Sequence, residues 1–179
     1  WIYDSDYNWE KYPVIQLNMS TLAMNNVEEV EKSIYNKVID ISREKQIELT
    51  PDRKYNEIFE ELITKLHQKY NRQVVILIDE YDNPIINNIS DVKKAKEIQR
   101  VLKDFYVIIK ATDPYIRFAI LTGVSKFSKT GVFSALNNLN DISMDARYSR
   151  MLGITQEELE GYFEEYIEDL SKKQGMSRK

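Results

Sequence analysis

Short apolar runs alternate along the chain with longer segments that are apolar on one side only. The runs are too short for helices and are rich in Val, Ile and Leu, a pattern typical of strands. Each run is followed by polar residues or by a turn signal. The predicted strands lie in YPVIQLNMS (12–20), RQVVILIDE (72–80) and IRFAILTGVS (116–125).

The segments between and after these strands have apolar residues at spacings of three and four, which predicts amphipathic helices. Thr50 and Pro51 have the residue types of a helix N-cap and first helical position. Thr155 and Glu158 have the spacing of a capping box. A further short strand is predicted at ISMD (142–145). The predicted helices lie within residues 25–46, 49–70, 90–113 and 155–174.

Strands that alternate with helices of ten or more residues predict crossover connections, and hence a mostly parallel sheet with helices on its faces. Such sheets bind ligands at the carboxyl ends of their strands. Polar residues stand at these ends: Asn18 and Ser20 after the first strand, Asp79 and Glu80 after the second. Thr122 and Ser125 follow the third strand and complete the set.

Composition narrows the class of protein without naming a function. The chain has 179 residues, enough for one domain with a sizeable core. The 42% of hydrophobic residues is typical of a globular protein, and the absence of cysteine excludes a disulfide. The net charge of -4 argues against a broad basic surface for nucleic acid. We expect a compact cytoplasmic protein without a membrane segment. The chain opens with Trp1 rather than Met, which predicts that it is part of a longer protein.

Asp79 and Glu80 end an apolar strand, which is the Walker B pattern of P-loop NTPases. There the Asp holds the Mg²⁺ at the terminal phosphates of ATP and the Glu polarises the attacking water. Thr122 and Ser125, after the next strand, have the place of a sensor residue that helps to position that water. The alternative is structural: an acid that caps the turn at Asn83, and a Thr that caps the turn at Gly123.

The phosphate-binding half of such a site is missing from the chain. A P-loop requires G-x-x-x-x-G-K-[ST], because its glycines let backbone N–H groups wrap the phosphates. The nearest match is GVSKFSKT (123–130), in which Ser128 replaces the second glycine. A Cβ obstructs the backbone there. We therefore interpret the segment as the loop after the sensor strand, with Lys126 and Lys129 as candidate phosphate-binding side chains.

The motifs LIDEYDNPI (77–85), LTGVSKFSK (121–129) and GITQEEL (153–159) resemble the bacterial AAA-ATPase-like proteins over nearly the whole chain. The resemblance implies a three-layer P-loop NTPase core of the additional-strand class, with residues 1–179 forming a single partial domain whose first strand is missing. It also implies a P-loop upstream and a PD-(D/E)xK-type nuclease domain downstream. Asp79 and Glu80 would be the Walker B pair, and Tyr81 and Asp82 would complete the DEYD signature.

Three functions follow as hypotheses. The first is Mg²⁺-dependent ATP hydrolysis by the intact protein, as a switch for an attached nuclease-type effector. Asp79 would hold the metal, Glu80 would act as base and Thr122 or Ser125 would sense the phosphate. The second is a regulatory or protein-interaction module without turnover, and the third is a hydrolase that uses Asp79, Glu80 and Asp82. The exposed edges of an incomplete sheet also favour a homo-oligomer.

Overall fold

The computed structural model describes residues 6, 8–124, 138–151 and 153–175. The chain divides into two compact units, Trp1–Asn138 and Leu139–Lys179. The first unit contains strands β1, β2 and β3 and helices α1 to α4. Their bounds are β1 Val14–Asn18, α1 Val27–Glu44, α2 Tyr55–Tyr70, β2 Val74–Asp79, α3 Asn83–Ile86, α4 Val92–Ala111 and β3 Ile116–Leu121.

The three strands form a parallel sheet in the order β1-β2-β3. The three predicted strands and the parallel α/β class are thereby confirmed. β2, which carries the two acids at its carboxyl end, is the central strand. Among the described residues β3 is an edge strand, paired on one side with β2. The register places Asn18 opposite Asp79, so the polar ends of β1 and β2 meet at one edge of the sheet.

One face of the sheet is fully buried at β1 and β2, and the other is partly exposed. Both crossover connections step in the same direction across the sheet, and right-handed crossovers then bring their helices to the same face. The burial alternates accordingly, since Val14 and Phe118 on the second face are well exposed. The sequence pattern predicted a β2 buried on both faces, but in the described residues only alternate positions are fully buried. The fully buried face carries Ile15, Leu17, Val74, Ile76 and Ile78.

The core lies between this buried face and helices α1, α2 and α4, which pack against one another. Its centre is aromatic: the rings of Phe59 and Phe105 stack with centroids 4.4 Å apart. Tyr106, on the next position of α4, is also fully buried. The sequence offers Ser90 or Asp91 as the N-terminal cap of α4, and the cap is Asp91, whose carboxylate accepts a hydrogen bond from the Lys94 amide. α4 is therefore held at its start and packed along its length.

The predicted start of α2 at Thr50 and Pro51 is wrong. α2 begins at Tyr55, because Asp52 has a left-handed backbone (φ 59°) that no α-helix accommodates. The Thr50 amide and hydroxyl instead donate to the carboxylate of Glu61, in the next turns of α2. Lys65 forms an ion pair with the same carboxylate. Thr50 thus fastens the loop before α2 rather than capping the helix.

These contacts affect the pKa of the carboxyl group of Glu61, which is partly buried. Burial is the largest single influence and opposes ionisation. The hydrogen bonds from Lys65 and Thr50 outweigh it together, and the pKa of the Glu61 carboxyl lies below its usual value. Ionised Glu61 therefore stabilises the connection between α1 and α2.

The second unit contains α5 Gln156–Tyr162 and α6 Glu164–Gln174. The predicted capping box is confirmed, with the Thr155 hydroxyl accepting from the Glu158 amide and the Glu158 carboxylate accepting from Thr155. The single helix predicted here is interrupted at Phe163. The strand predicted at ISMD is wrong, since the Asp145 amide closes a turn onto the Ile142 carbonyl. Within the described parts of both units, no helix has the length and apolar character that would let it cross a membrane.

Candidate functional site

The polar residues predicted at the strand ends come together at the carboxyl edge of the sheet. Asp79 ends β2 and is exposed, while Thr122 directly follows β3 and is half-buried. Asn18 lies opposite Asp79 at the end of β1. The Asn18 carboxamide oxygen accepts hydrogen bonds from the amide and hydroxyl of Ser20, which ends the first strand in a short 3-10 turn. Residues from three separate stretches of the sequence therefore form one site.

Asp79 and Thr122 are in direct contact. The Thr122 hydroxyl donates a hydrogen bond to Asp79 Oδ1, and the same oxygen accepts the Glu80 amide at 3.1 Å. A hydroxyl and an amide that both donate to one carboxylate oxygen fix the orientation of that carboxylate. The two residues that the sequence assigned to metal binding and to phosphate sensing are thus adjacent.

Glu80 interrupts the regular ladder between β2 and β3. The Thr122 amide donates to the Ile78 carbonyl at 2.9 Å, so regular parallel pairing would require the Glu80 amide to donate to the Thr122 carbonyl. The Tyr81 amide makes that bond instead, at 2.9 Å. Glu80 is an inserted residue with a left-handed backbone, φ 52°. Bulges of this kind redirect side chains beside active sites.

The inserted residue breaks the alternation of a strand, in which adjacent side chains point to opposite faces. Asp79 is the last residue of regular β2, and Glu80 no longer follows its pleat. The Glu80 carboxylate accepts a hydrogen bond from the Asn83 carboxamide at 3.2 Å. Asn87 donates in turn to the Asn83 carboxamide oxygen at 2.7 Å. A short chain of amides therefore orients the acid from the first turn after β2.

The sequence did not assign a positioning role to Asp82, Asn83 or Gly123. Asp82 is fully buried, which disfavours the hydrolase hypothesis that gave it a reacting carboxylate beside Asp79 and Glu80. Its Oδ1 accepts the Val124 amide at 3.3 Å. The signal in the sequence was the DEYDN run itself, which places a third acid and an amide directly after the predicted Walker B pair.

Three predicted site residues, Ser125, Lys126 and Lys129, lie outside the described residues. Their assignment to phosphate sensing and phosphate binding stays a prediction. Within the parts of the chain that the structure describes, no three His, Cys, Asp or Glu side chains are grouped closely enough to hold a metal ion by themselves. Mg²⁺ in NTPase sites needs only one or two protein oxygens, with phosphates and water as its other ligands. The exposed Asp79 carboxylate beside the Thr122 hydroxyl fits that donor set.

Comparison with known proteins places the chain in a family. The family model described as "Predicted AAA-ATPase" matches residues 1–133, well over half of the chain. A protein of Azotobacter chroococcum mcd 1, named "Uncharacterized protein in vnfD 5'region", is 36% identical over 158 residues, which cover 88% of this chain. The chain spans 30% of the length of that relative. No solved structure matches the chain significantly. By the match to this family model, the chain belongs to the AAA-ATPase-like family, the family of predicted AAA-ATPases.

Proposed function

We propose that the full-length protein binds and hydrolyses ATP, and that this chain supplies the metal-binding and water-activating half of the site. The observation that carries the proposal is the contact between Asp79 and Thr122 at the carboxyl edge of a parallel sheet. Ligands bind at that edge in open α/β sheets. The membership of the chain in a family of predicted AAA-ATPases supports the same conclusion.

Asp79 would contribute its carboxylate to a bound Mg²⁺. When bound, the metal would neutralise negative charge on the terminal phosphates of ATP. The protein's own part is to hold the carboxylate in one orientation, which the Thr122 hydroxyl and the Glu80 amide do through Oδ1. An oriented ligand loses less entropy when the metal binds, since its rotamer is already chosen.

Glu80 would act as the general base. Water attacks the γ-phosphorus, a P–O bond forms to the water oxygen, and the bond to the β-phosphate oxygen breaks to release ADP. The Glu80 carboxylate accepts the proton that the water loses. The Glu80 side chain is half-buried, and its hydrogen bond with Asn83 holds the carboxylate in place beside the end of β2. A base that is positioned in this way contributes roughly 10²- to 10⁴-fold to the rate.

Thr122 would report on the phosphate from the end of β3, together with Ser125 in the following loop. Lys126 and Lys129 of that loop would bring positive charge to the phosphates. The backbone cradle of a P-loop would come from sequence outside this chain. In our proposal these four side chains and the P-loop supply the phosphate-sensing and phosphate-binding groups of an NTPase site.

The remaining layers of the three-layer P-loop NTPase core would also come from other parts of the protein. Among the described residues β3 has an unpaired edge, where the missing first strand would attach. Phe118, 52% exposed on the partly open face of the sheet, would be covered by the third layer. The ATP cycle would then act as a switch on an attached effector, for which a nuclease-type domain is our proposal. Pairing with a second copy of the chain at the same edge is the alternative.

The test is Mg²⁺-dependent ATP hydrolysis by the full-length protein, with Glu80→Gln beside the wild type. The amide keeps the size of the side chain but accepts no proton, so we expect turnover to fall at least about 100-fold while ATP still binds. Glu60→Gln, at an exposed position of α2, is the matched control and keeps normal turnover. Unchanged turnover in Glu80→Gln would remove Glu80 from its assigned role. A full-length protein that binds ATP but never hydrolyses it would favour the regulatory module without turnover.

A further inference from the structure

Turn formation alone does not explain why the carboxylate of Asp82 is buried. Asp82 follows Glu80 by two residues, yet it is 0% exposed, whereas Asp79 is exposed. A buried charge is costly unless the surrounding groups compensate it. A turn after a strand can be made by uncharged Asn or Ser without this cost. The position of the carboxylate therefore points to a contact that its acceptor oxygen makes with a neighbouring segment.

That contact joins the segments that follow β2 and β3. Asp82 Oδ1 accepts the amide of Val124, two residues after Thr122. Two backbone hydrogen bonds run parallel to it, from Thr122 to Ile78 and from Tyr81 to Thr122, each at 2.9 Å. Hydrogen bonds therefore hold Thr122 on both sides, and its hydroxyl stays beside the Asp79 carboxylate.

The close approach of the two segments requires glycine at position 123. A Cβ added to Gly123 would lie 2.5 Å from Tyr81 Cε1 and 2.6 Å from Asp82 Oδ1. Both distances are far below van der Waals contact. Tyr81 is 8% exposed and so has little room to withdraw. Any larger residue at position 123 would push the end of β3 away from the turn that carries the acids.

The turn is also anchored from the core. The hydroxyl of Tyr106, fully buried on α4, donates to the Tyr81 carbonyl at 3.0 Å. Burial raises the pKa of the Tyr106 phenol well above its usual value, and the charge of Asp82 adds to that effect. The hydroxyl thus keeps its proton and remains a donor. The turn after β2 is supported by α4 on one side and by the end of β3 on the other.

We propose that Asp82 and Gly123 are positioning residues of the ATPase site, which fasten the end of β3 to the bulge at Glu80. They touch neither the metal nor the phosphates in this proposal, and they act through Thr122 and Glu80. The inference rests on the proposed ATPase function. It adds two residues that the metal, base and sensor assignments do not include.

The kinetic test uses Gly123→Ala in the full-length protein, with Gly161→Ala as the matched control. Gly161 has no atom within 4 Å of an added Cβ, so the control tolerates the methyl group. We expect Gly123→Ala to lower kcat about 100-fold, the cost of a misplacement of about 1 Å, with little change in KM. Loss of structure alone would reduce the number of active sites and leave the turnover of each site unchanged, so kcat is referred to the concentration of sites that bind ATP. An unchanged kcat in folded Gly123→Ala would overturn the proposal while leaving the ATPase function standing.

Two variants of Asp82 separate positioning from folding and decide the matter if Gly123→Ala does not fold. Asp82→Asn keeps a carbonyl oxygen that can accept the Val124 amide, whereas Asp82→Ala has no acceptor. We expect Asp82→Asn to retain most of the wild-type kcat and Asp82→Ala to lose it. Equal kcat values in the two variants would contradict the assigned role, because the acceptor atom would then be irrelevant.

Hydrogen exchange without nucleotide supplies a readout that does not depend on hydrolysis. We expect the Val124 amide to exchange faster in Asp82→Ala than in the wild type, with the amides of β1 unchanged. Equal exchange at Val124 would overturn the positioning contact itself. If the wild-type protein hydrolyses no ATP, the proposed function fails, and with it the positioning role, although the exchange result still reports whether the contact exists.

Discussion

Replacing Glu80 by glycine and by alanine separates the backbone of this residue from its carboxylate. Glu80 has φ 52°, in the left-handed region. That conformation costs a residue with a Cβ roughly 1–2 kcal/mol and costs glycine almost nothing. In an ordinary strand or helix the preference is reversed, and glycine is less stable than alanine by roughly 0.5–1 kcal/mol. The sign of the difference therefore reports the local conformation.

We expect the Glu80→Gly variant to be more stable than Glu80→Ala by about 1 kcal/mol. For a unit of this size that difference corresponds to a shift in Tm of roughly 2–4 °C. Neither variant has a carboxylate, so both should lose ATP hydrolysis to the same extent. Stability and activity would then change independently at one residue, as expected where a strained backbone serves a function.

The measurement is thermal unfolding of the full-length variants, followed on the transition that includes this domain, together with ATP turnover. Gln46, with φ 53° at the end of α1, is a matched left-handed control away from the site. Glu60, in the middle of α2, is the opposite control, since alanine should be the more stable replacement there by about 1 kcal/mol. Equal or lower stability of Glu80→Gly relative to Glu80→Ala would refute the bulge, and with it the explanation of how the acid is aimed.

Three further predictions concern the rest of the domain. Thr122→Val removes the hydroxyl donor to Asp79 but keeps the shape of the side chain, and it should raise the Mg²⁺ concentration for half-maximal turnover about 10- to 100-fold. Thr122→Ser keeps a hydroxyl and should retain the wild-type Mg²⁺ concentration. No shift in a magnesium titration of Thr122→Val would count against the contact. Phe118→Ala should destabilise the full-length protein in urea by roughly 3–5 kcal/mol if a third layer covers that face, whereas a cost below about 0.5 kcal/mol would indicate a face open to solvent. The lowered pKa of Glu61 means that its ionised form stabilises the fold above pH 4.5, and that this contribution is lost as the pH falls through the folded pKa. Glu61→Gln should therefore flatten the fall in Tm below pH 4.5, and an unchanged acid profile would show that the carboxylate does not contribute.

The strands and most helices were predictable because their signals are local. An apolar run of five or six residues predicts a buried strand, and Asp91 or Thr155 before an apolar stripe predicts a helix start. The errors were local as well. Pro51 has a suitable residue type for a helix start, yet the left-handed backbone of Asp52 delays α2 to Tyr55. Thr50 instead donates to the carboxylate of Glu61, 11 residues further along the chain, and this contact outweighs its preference for capping the helix.

The candidate site was also predictable only in part. The sequence by itself determined which residues stand at the strand ends, because a parallel sheet requires all three carboxyl ends at one edge. The proximity of Asp79 and Thr122 could therefore be predicted from the sequence.

Only the tertiary structure decided how these residues act together. The bulge at Glu80, the burial of Asp82 and the need for glycine at position 123 depend on contacts between segments far apart in the sequence. Asp82 accepts the amide of Val124, 42 residues away. A Cβ at position 123 would clash with Tyr81 and Asp82. The local sequence around Gly123 allows many conformations of nearly equal energy. Packing against the turn after β2 selects one of these conformations, because burial and hydrogen bonding across the sheet stabilise it over the others.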